Sequence, residues 1–257
     1  MNNTLARKKF MKPILSFTIW FSQRTGSTLL CKTLQAMEVA GNPGEWLYGW
    51  LKDQHSSSPE ELQMRLWEIG TTTNGIFGLK HSFHEPHFSQ LLETLHKFPN
   101  SPPEEKNRAR VWEHAFPNHR HVFMTRRNKV RLAVSWWKAI QTQEWHRLSG
   151  TSAQSVNLSN AYSFDAIHHL YQECSMREAG IQEFFSEGKI VPLTIVYEDF
   201  IQEYEKTVRK VLEFLGLDPI SLKIPSPSLA QTADDLSEEW VQRFREELQN
   251  SWENRGW

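Results

Sequence analysis

The sequence predicts an α/β fold, a parallel sheet flanked by helices. Two patterns carry that expectation and the chain length bounds it. Residues 14–21 are an almost continuous run of β-favouring apolar side chains, as in a strand buried on both faces. Strand-like and helix-like segments then alternate four times, which calls for crossover connections and a parallel sheet. The 257 residues suit one large domain with a sizeable core, read here as residues 1–257.

The elements follow in order. After the first strand, residues 22–27 form a polar loop, and residues 28–38 read as a helix with Leu29, Leu30, Leu34 and Met37 along one face. Residues 40–50 form a turn leading into an aromatic-rich stretch. Residues 59–69 read as a polar helix with Leu62, Leu66 and Ile69 on one side. Residues 74–83 are a second strand, and 85–97 a helix with Pro86 in its first turn. A third strand spans 120–126. The helix over 129–145 carries Val130, Val134, Trp137 and Ile140 as a stripe. A long helix covers 164–185, a fourth strand 190–197, and a helix 200–215 that Gly216 stops. Residues 224–235 are extended or looped, and 237–249 form a last helix with an acidic first turn. Residues 1–12 are expected to be flexible, and 99–108 and 147–160 to be mobile loops.

Composition narrows the function. The formal net charge is −1, so no global field recruits nucleic acid and any anion site must be local. Eleven tryptophans allow for a pocket with aromatic walls, beyond plain core filling. Cys31 and Cys174 form no CxxC or disulfide framework, and a reducing cytoplasm is the expected compartment. The basic N-terminus before an apolar run is like a signal peptide, but the run is short and no small-residue cleavage pattern follows. No segment reaches the roughly 18 apolar residues that span a bilayer.

In parallel α/β sheets, ligands bind beyond the carboxyl ends of the strands. The positions after Phe21, Leu79, Met124 and Val196 are therefore the informative ones. After Phe21 comes Ser22-Gln23-Arg24-Thr25-Gly26-Ser27-Thr28. Gly26 lets backbone approach a ligand. The helix-start amides of Gly26, Ser27, Thr28 and Leu29 form an anion cradle at the positive end of the dipole. Arg24 adds a fixed charge, and Ser27 and Thr28 add hydroxyls. The Gly-Lys of a nucleotide-triphosphate loop is missing, and no acidic strand end stands ready for magnesium. The loop favours a phosphate without demanding a metal. The plain alternative is an N-cap with a surface arginine. Arg126 and Arg127 leave the third strand, and Ser135 lies about two and a half turns along the next helix, so both can converge on one phosphate. A basic helix start is costly unless an anion is present.

These features resemble those of sulfotransferases that use 3′-phosphoadenosine 5′-phosphosulfate (PAPS). The closer resemblance is to the bacterial branch whose best-known member sulfates trehalose. The matching pieces are SQRTGSTLL, VAGNPGEWL, GIFGLK, RRNKVRLAVSWWKAIQTQEW, VYEDF, VLEFLGL and SEEWVQRFR, in the expected order. The resemblance implies a P-loop-like sulfotransferase fold, a homodimer and a product 3′,5′-ADP, with no metal. It implies that Arg24, Thr25, Gly26, Ser27 and Thr28 bind the 5′-phosphosulfate. It further implies that Arg126 and Ser135 bind the 3′-phosphate; Arg127 has the animal-type spacing to Ser135, and Arg126 aligns with the bacterial branch.

Glu45 matches the glutamate proposed as general base in the trehalose enzyme. A carboxylate near the acceptor suits the chemistry independently, because the acceptor hydroxyl must lose a proton as the sulfuryl group arrives. Lys80 ends the second strand at the same edge, where it would stabilise charge on the transferring group or simply pair with Glu45. The acceptor is a small molecule: a trehalose-like sugar, or a cationic, nitrogen-rich metabolite held by Glu45, Trp46, Tyr48 and Trp50. His81 and His84 are reserve bases; His81 should point to the opposite strand face from Lys80. Gln231 stands where the bacterial branch tends to have arginine. Two other classes compete: a nucleotide kinase, which the missing Gly-Lys disfavours, and a non-catalytic 3′,5′-ADP sensor.

Overall fold

The computed structural model describes residues 12–48, 58–99, 101–152, 156–250 and 252. Among them a four-stranded parallel sheet runs in the order β2-β1-β3-β5, with β1 at Leu15–Phe21, β2 at Ile76–His81, β3 at His119–Thr125 and β5 at Leu193–Val196. The expected architecture is therefore the observed one. β1 is central and fully paired, with Phe17 opposite both Gly78 and Arg120.

Side chains alternate across the sheet and build two apolar layers. On one face Phe17, Ile19, Phe21, Val122 and Met124 pack on α1 (Ser27–Ala36) and α8 (Tyr204–Phe214) through Leu30, Leu34, Val208 and Leu212. On the other, Trp20, Phe77 and Phe123 meet α3 (His87–Leu95), α4 (Arg108–Ala115) and the long α6 (Phe164–Gly188). A third cluster joins α5 (Lys129–Thr142), α6 and α9 (Asp235–Gln249) around Trp136, Leu170, Trp240 and Phe244. It fixes α5 beside the end of β3, which positions Ser135. α2 (Pro59–Gly70) opens with the Ser58/Glu61 capping box and lays Leu62 and Leu66 on the second layer; Ile69 is exposed.

Several details differ from the sequence reading. α4 begins at the end of the expected loop 99–108 and covers residues where no element was expected: Asn107 caps it by accepting from Arg110 N at 3.1 Å. The helix expected over 200–215 is two, α7 (Tyr197–Gln202) and α8, broken at Glu203 with φ −118° and ψ 49°. Within the expected loop 147–160, β4 (Arg147–Leu148) pairs antiparallel with β6 (Leu229–Ala230). Most tryptophans are structural: Trp20 and Trp112 are core residues, and Trp46, Trp67, Trp136 and Trp240 pack on the hydrophobic clusters. Trp50 lies outside the described residues.

One close approach places the loop after α1. A Cβ on Gly78 would stand 2.8 Å from Pro43 N and 2.9 Å from Phe17 Cζ. The absent side chain lets residues 41–44 lie against β2, where Lys80 N donates to Gly44 O at 2.9 Å. Gly78→Ala must push that loop away; overpacking of this kind costs about 1–3 kcal/mol. We expect a lower unfolding midpoint for Gly78→Ala, measured by denaturant titration.

The layer against α3, α4 and α6 also buries imidazoles. Trp20 Nε1 donates to His121 Nδ1 at 2.9 Å, and His119 Nε2 lies 2.8 Å from Thr18 Oγ1. Burial pushes His81 down to about 3, His121 to about 4 and His119 well below its ordinary value. In the unfolded chain these rings protonate below about pH 6.5. The unfolded state thus binds more protons between pH 6.5 and about 4, and stability falls as pH falls through that window. Denaturation midpoints measured from pH 7 down to about 4.5 should decline steadily; a flat profile would contradict neutral burial of these rings.

Candidate active site

The site begins at the carboxyl end of β1. Arg24 (φ 63°) and Gly26 (φ 80°) both take left-handed backbone conformations, which turn the chain sharply into α1. Gly26 is the N-cap and no side chain caps the helix, so its first amides stay open to an outside acceptor. The ring of Tyr197 covers Gly26: a Cβ there would meet Tyr197 Cδ2 at 3.0 Å.

Two arginines converge on this turn. Arg24 Nε donates to Ser135 Oγ at 3.0 Å, Nη1 to Trp145 O, and Nη2 to Thr232 Oγ1 at 3.2 Å. The Arg126 guanidinium stacks 4.6 Å from the centre of the Tyr197 ring, and its Nη1 lies 3.5 Å from Arg24 O. Arg126 Nε is buried with no hydrogen-bond partner among the described residues; its nearest carboxylate oxygen, Glu198 Oε1, is 3.7 Å away. Arg127 turns outward instead and makes a two-pronged pair with Asp199 at 2.8 and 2.6 Å. Arg24, Gly26, Ser27, Thr28, Arg126 and Ser135 thus line one cavity of about 260 Å³. Thr25 is buried beneath it, donating to Ser22 O at 2.8 Å.

Charge at this cavity is unbalanced. Arg131, Lys138 and Arg147 each pair with a carboxylate, Glu238, Asp234 and Glu144 respectively. Arg24 touches only neutral oxygens, and Arg126 has a loose carboxylate neighbour. Burial, and then Arg126, pull the Arg24 guanidinium below its ordinary value; burial does the same to Arg126. Both arginines stay charged, and burial is the larger cause of each shift.

Beside the cavity, Lys80 Nζ donates to Thr28 Oγ1 at 3.0 Å and meets Glu45 Oε1 at 2.8 Å, with Phe21 beneath it at 4.4 Å. Lys80 is buried and Glu45 half-exposed. Cation, hydroxyl and carboxylate form a row from the start of α1 outward. Trp46 lies next to Glu45, but its Nε1 donates to Asn42 O at 2.8 Å and its ring packs on the core. Tyr48 is 76% exposed. His81 is buried on the far face of β2 among Trp20, Phe88 and Trp112. His84 stacks on His87 at 4.9 Å.

Several residues that the sequence did not single out complete the site. Glu178, midway along α6, accepts from Ser22 Oγ (2.9 Å), Thr125 Oγ1 (2.9 Å) and Lys129 Nζ (2.6 Å). It ties the ends of β1 and β3 to the start of α5. Glu198 accepts from the amides of Arg127 (3.0 Å) and Asn128 (3.3 Å). A mid-helix glutamate carries no sequence signal; Glu198 did, since it follows the fourth strand at one of the informative positions.

A family model described as Stf0 sulphotransferase matches residues 16–247. The chain belongs to the Stf0 sulphotransferase family. Two relatives are named trehalose 2-sulfotransferase. The one from Mycolicibacterium smegmatis is 28% identical over 264 residues, covering 91% of this chain and 96% of that protein. The one from Mycobacterium tuberculosis is 27% identical over 267 residues, covering 92% and 96%. Among solved structures, a sulfotransferase from Alicyclobacillus acidocaldarius aligns with a TM-score of 0.45 at 17% identity, covering 89% of this chain and 90% of that one. The sulfotransferase domain of the Synechococcus olefin synthase aligns at 0.37 and 14%, covering 93% and 98%.

In this Stf0 sulphotransferase, removing Glu178 leaves three donors without their acceptor, one of them a cation. We expect Glu178→Ala to cost about 3 kcal/mol, as when one partner of a largely buried pair is lost. Glu178→Gln, which keeps the shape and one acceptor oxygen, should cost less. Denaturant titration of both variants checks the order.

Proposed function

We propose that this protein transfers a sulfuryl group from PAPS to a hydroxyl or amine of a small acceptor, with Glu45 as general base. The observation that carries the reading is the pair of buried arginines, Arg24 bonded only to neutral oxygens and Arg126 only loosely paired with Glu198, facing one cavity with the open amides of α1. Such a site suits a ligand with several negative charges. Family membership supports sulfuryl transfer as the chemistry.

Each residue then has a task. The amides of Gly26, Ser27 and Thr28, with Arg24, hold the 5′-phosphosulfate end. Arg126 and Ser135 hold the 3′-phosphate; the unpartnered Nε of Arg126 fits that role, and Arg127 is already committed to Asp199. When bound, PAPS supplies an activated sulfuryl group with a phosphate as its leaving group. Glu45 takes the acceptor proton. Lys80, next to both Glu45 and Thr28, stabilises charge on the moving group. Before Glu45 can act freely, Lys80 must exchange their ion pair for contact with the incoming anion.

A trehalose-like sugar is the first acceptor class we propose, on the names of the two relatives. A cationic, nitrogen-rich acceptor is the second, because a half-exposed Glu45 carboxylate and an exposed Tyr48 ring belong to one turn, in which Tyr48 N donates to Glu45 O. We also propose a cytoplasmic homodimer, supported for the compartment by two buried, unpaired cysteines. No helix among the described residues is long and apolar enough to cross a membrane.

Thermal-shift binding tests the donor. We expect 3′,5′-ADP to stabilise the protein more than ATP, with or without magnesium. Arg126→Ala should abolish that stabilisation and Arg127→Ala should keep it. A preference for ATP with magnesium would overturn the reading in favour of a kinase. In a mass-gain screen over neutral and cationic acceptors, Glu45→Gln should bind 3′,5′-ADP normally and lose about 10²–10⁴-fold in transfer rate. Transfer unaffected by that change would remove Glu45 as the base.

A further inference from the structure

Lys80 has no donor to spare in the free protein. Its Nζ meets Glu45 Oε1 at 2.8 Å and Thr28 Oγ1 at 3.0 Å, and the Phe21 ring lies beneath it at 4.4 Å. Those three neighbours match the three N–H groups of an ammonium. Arg24 differs. A guanidinium has five N–H groups, and Arg24 commits three of them, to Ser135, Trp145 and Thr232. Arg24 can therefore take an anion without releasing a partner, and Lys80 cannot. Thr28 lines the cavity, so Lys80 stands one hydroxyl away from it.

The ion pair is not what places Glu45. Lys80 N donates to Gly44 O at 2.9 Å, which holds the neighbouring backbone against β2. Gln35 Nε2 donates to Pro43 O at 2.9 Å, Trp46 Nε1 to Asn42 O at 2.8 Å, and Tyr48 N to Glu45 O at 3.0 Å. The turn thus keeps its support when the side-chain pair opens. The two charges are unequal in their need for each other. Lys80 is buried and Glu45 is half-exposed. A buried charge that loses its partner without a replacement is strongly destabilising. Lys80 can leave Glu45 only for another anionic oxygen.

We propose that the Lys80–Glu45 pair is an autoinhibitory contact that distinguishes loaded donor from spent product: Lys80 releases Glu45 to the sulfuryl group, and not to the phosphates. This rests on the PAPS reading above and adds which charge triggers the exchange. In that reading the phosphates have Arg24, Arg126 and the open amides of α1, and the sulfuryl group projects beyond them toward Glu45. Once Lys80 has turned to the sulfuryl oxygens, the Glu45 carboxylate is free to take the acceptor proton. In the transfer the acceptor oxygen or nitrogen bonds to sulfur, the sulfur–oxygen bond to the phosphate breaks, and its electron pair stays on the phosphate oxygen. The acceptor proton passes to Glu45 and from its exposed side to solvent. Lys80 then returns to Glu45, and the base is covered again while 3′,5′-ADP is still bound.

Calorimetric titration of the full chain with each nucleotide, in the absence of acceptor, tests this without turnover. Glu45→Gln removes the charge that holds Lys80. It should tighten PAPS binding about tenfold and leave 3′,5′-ADP binding unchanged, which also shows that the variant is folded. Glu45→Asp, whose carboxylate is one methylene short of Lys80, should tighten PAPS in the same direction. In a Lys80→Met background, adding Glu45→Gln should change neither affinity. Equal effects of Glu45→Gln on the two nucleotides, or no effect on either, overturn the proposal. So does a tightening of PAPS that persists in the Lys80→Met background, because that is plain repulsion between carboxylate and sulfate. If neither nucleotide binds the unaltered protein, the donor reading fails and this proposal with it.

Discussion

The site depends on one guanidinium. Arg24 leaves β1 in a left-handed turn and donates to Ser135 on α5, to the carbonyl of Trp145 and to the hydroxyl of Thr232. Those three acceptors lie more than a hundred residues away in the chain. A single planar fork therefore closes the cavity, joining the loop after the first strand to the two segments that carry β4 and β6. Its partners are neutral, so the charge it brings is not cancelled by the contacts that hold it.

That choice of partners separates this cavity from the ion pairs around it. Arg131, Lys138, Arg147 and Arg127 all reach carboxylates and contribute to local order. Arg24 and Arg126 lie close enough to repel one another, in surroundings that favour the uncharged form of any ordinary acid or base. Arginine cannot respond by losing its proton. The open amides of α1 line the same cavity. Tyr197 serves both: its ring packs over Gly26 on one side and Arg126 on the other.

Support for this arrangement comes from the opposite layer. Glu178 reaches through from α6 to the ends of β1 and β3 and to Lys129, so the packing of Phe184 of α6 on Trp20 and Trp112 bears on where Ser22 and the start of α5 lie. On the far edge, the close approach of residues 41–44 to Gly78 carries Glu45 to Lys80. Glu45 and the open amides of α1 are thus positioned by separate constraints that meet at Thr28.

The sequence by itself determined the sheet, the loop after the first strand, and the family. Continuous apolar strands and helix-start amides are local properties, readable from residues within one turn or one strand of each other. It did not determine which arginine faces inward. Arg126 and Arg127 are chemically identical neighbours; Asp199 and Tyr197, brought up by β5, separate them. Nor did it reveal Glu178 or the strand pair β4–β6, and it offered Trp46 as a pocket wall although packing turns its ring to the core. Those roles arise from charges and surfaces that become neighbours only when distant segments fold together, and electrostatic interaction depends on distance in space, for which spacing along the chain is no guide.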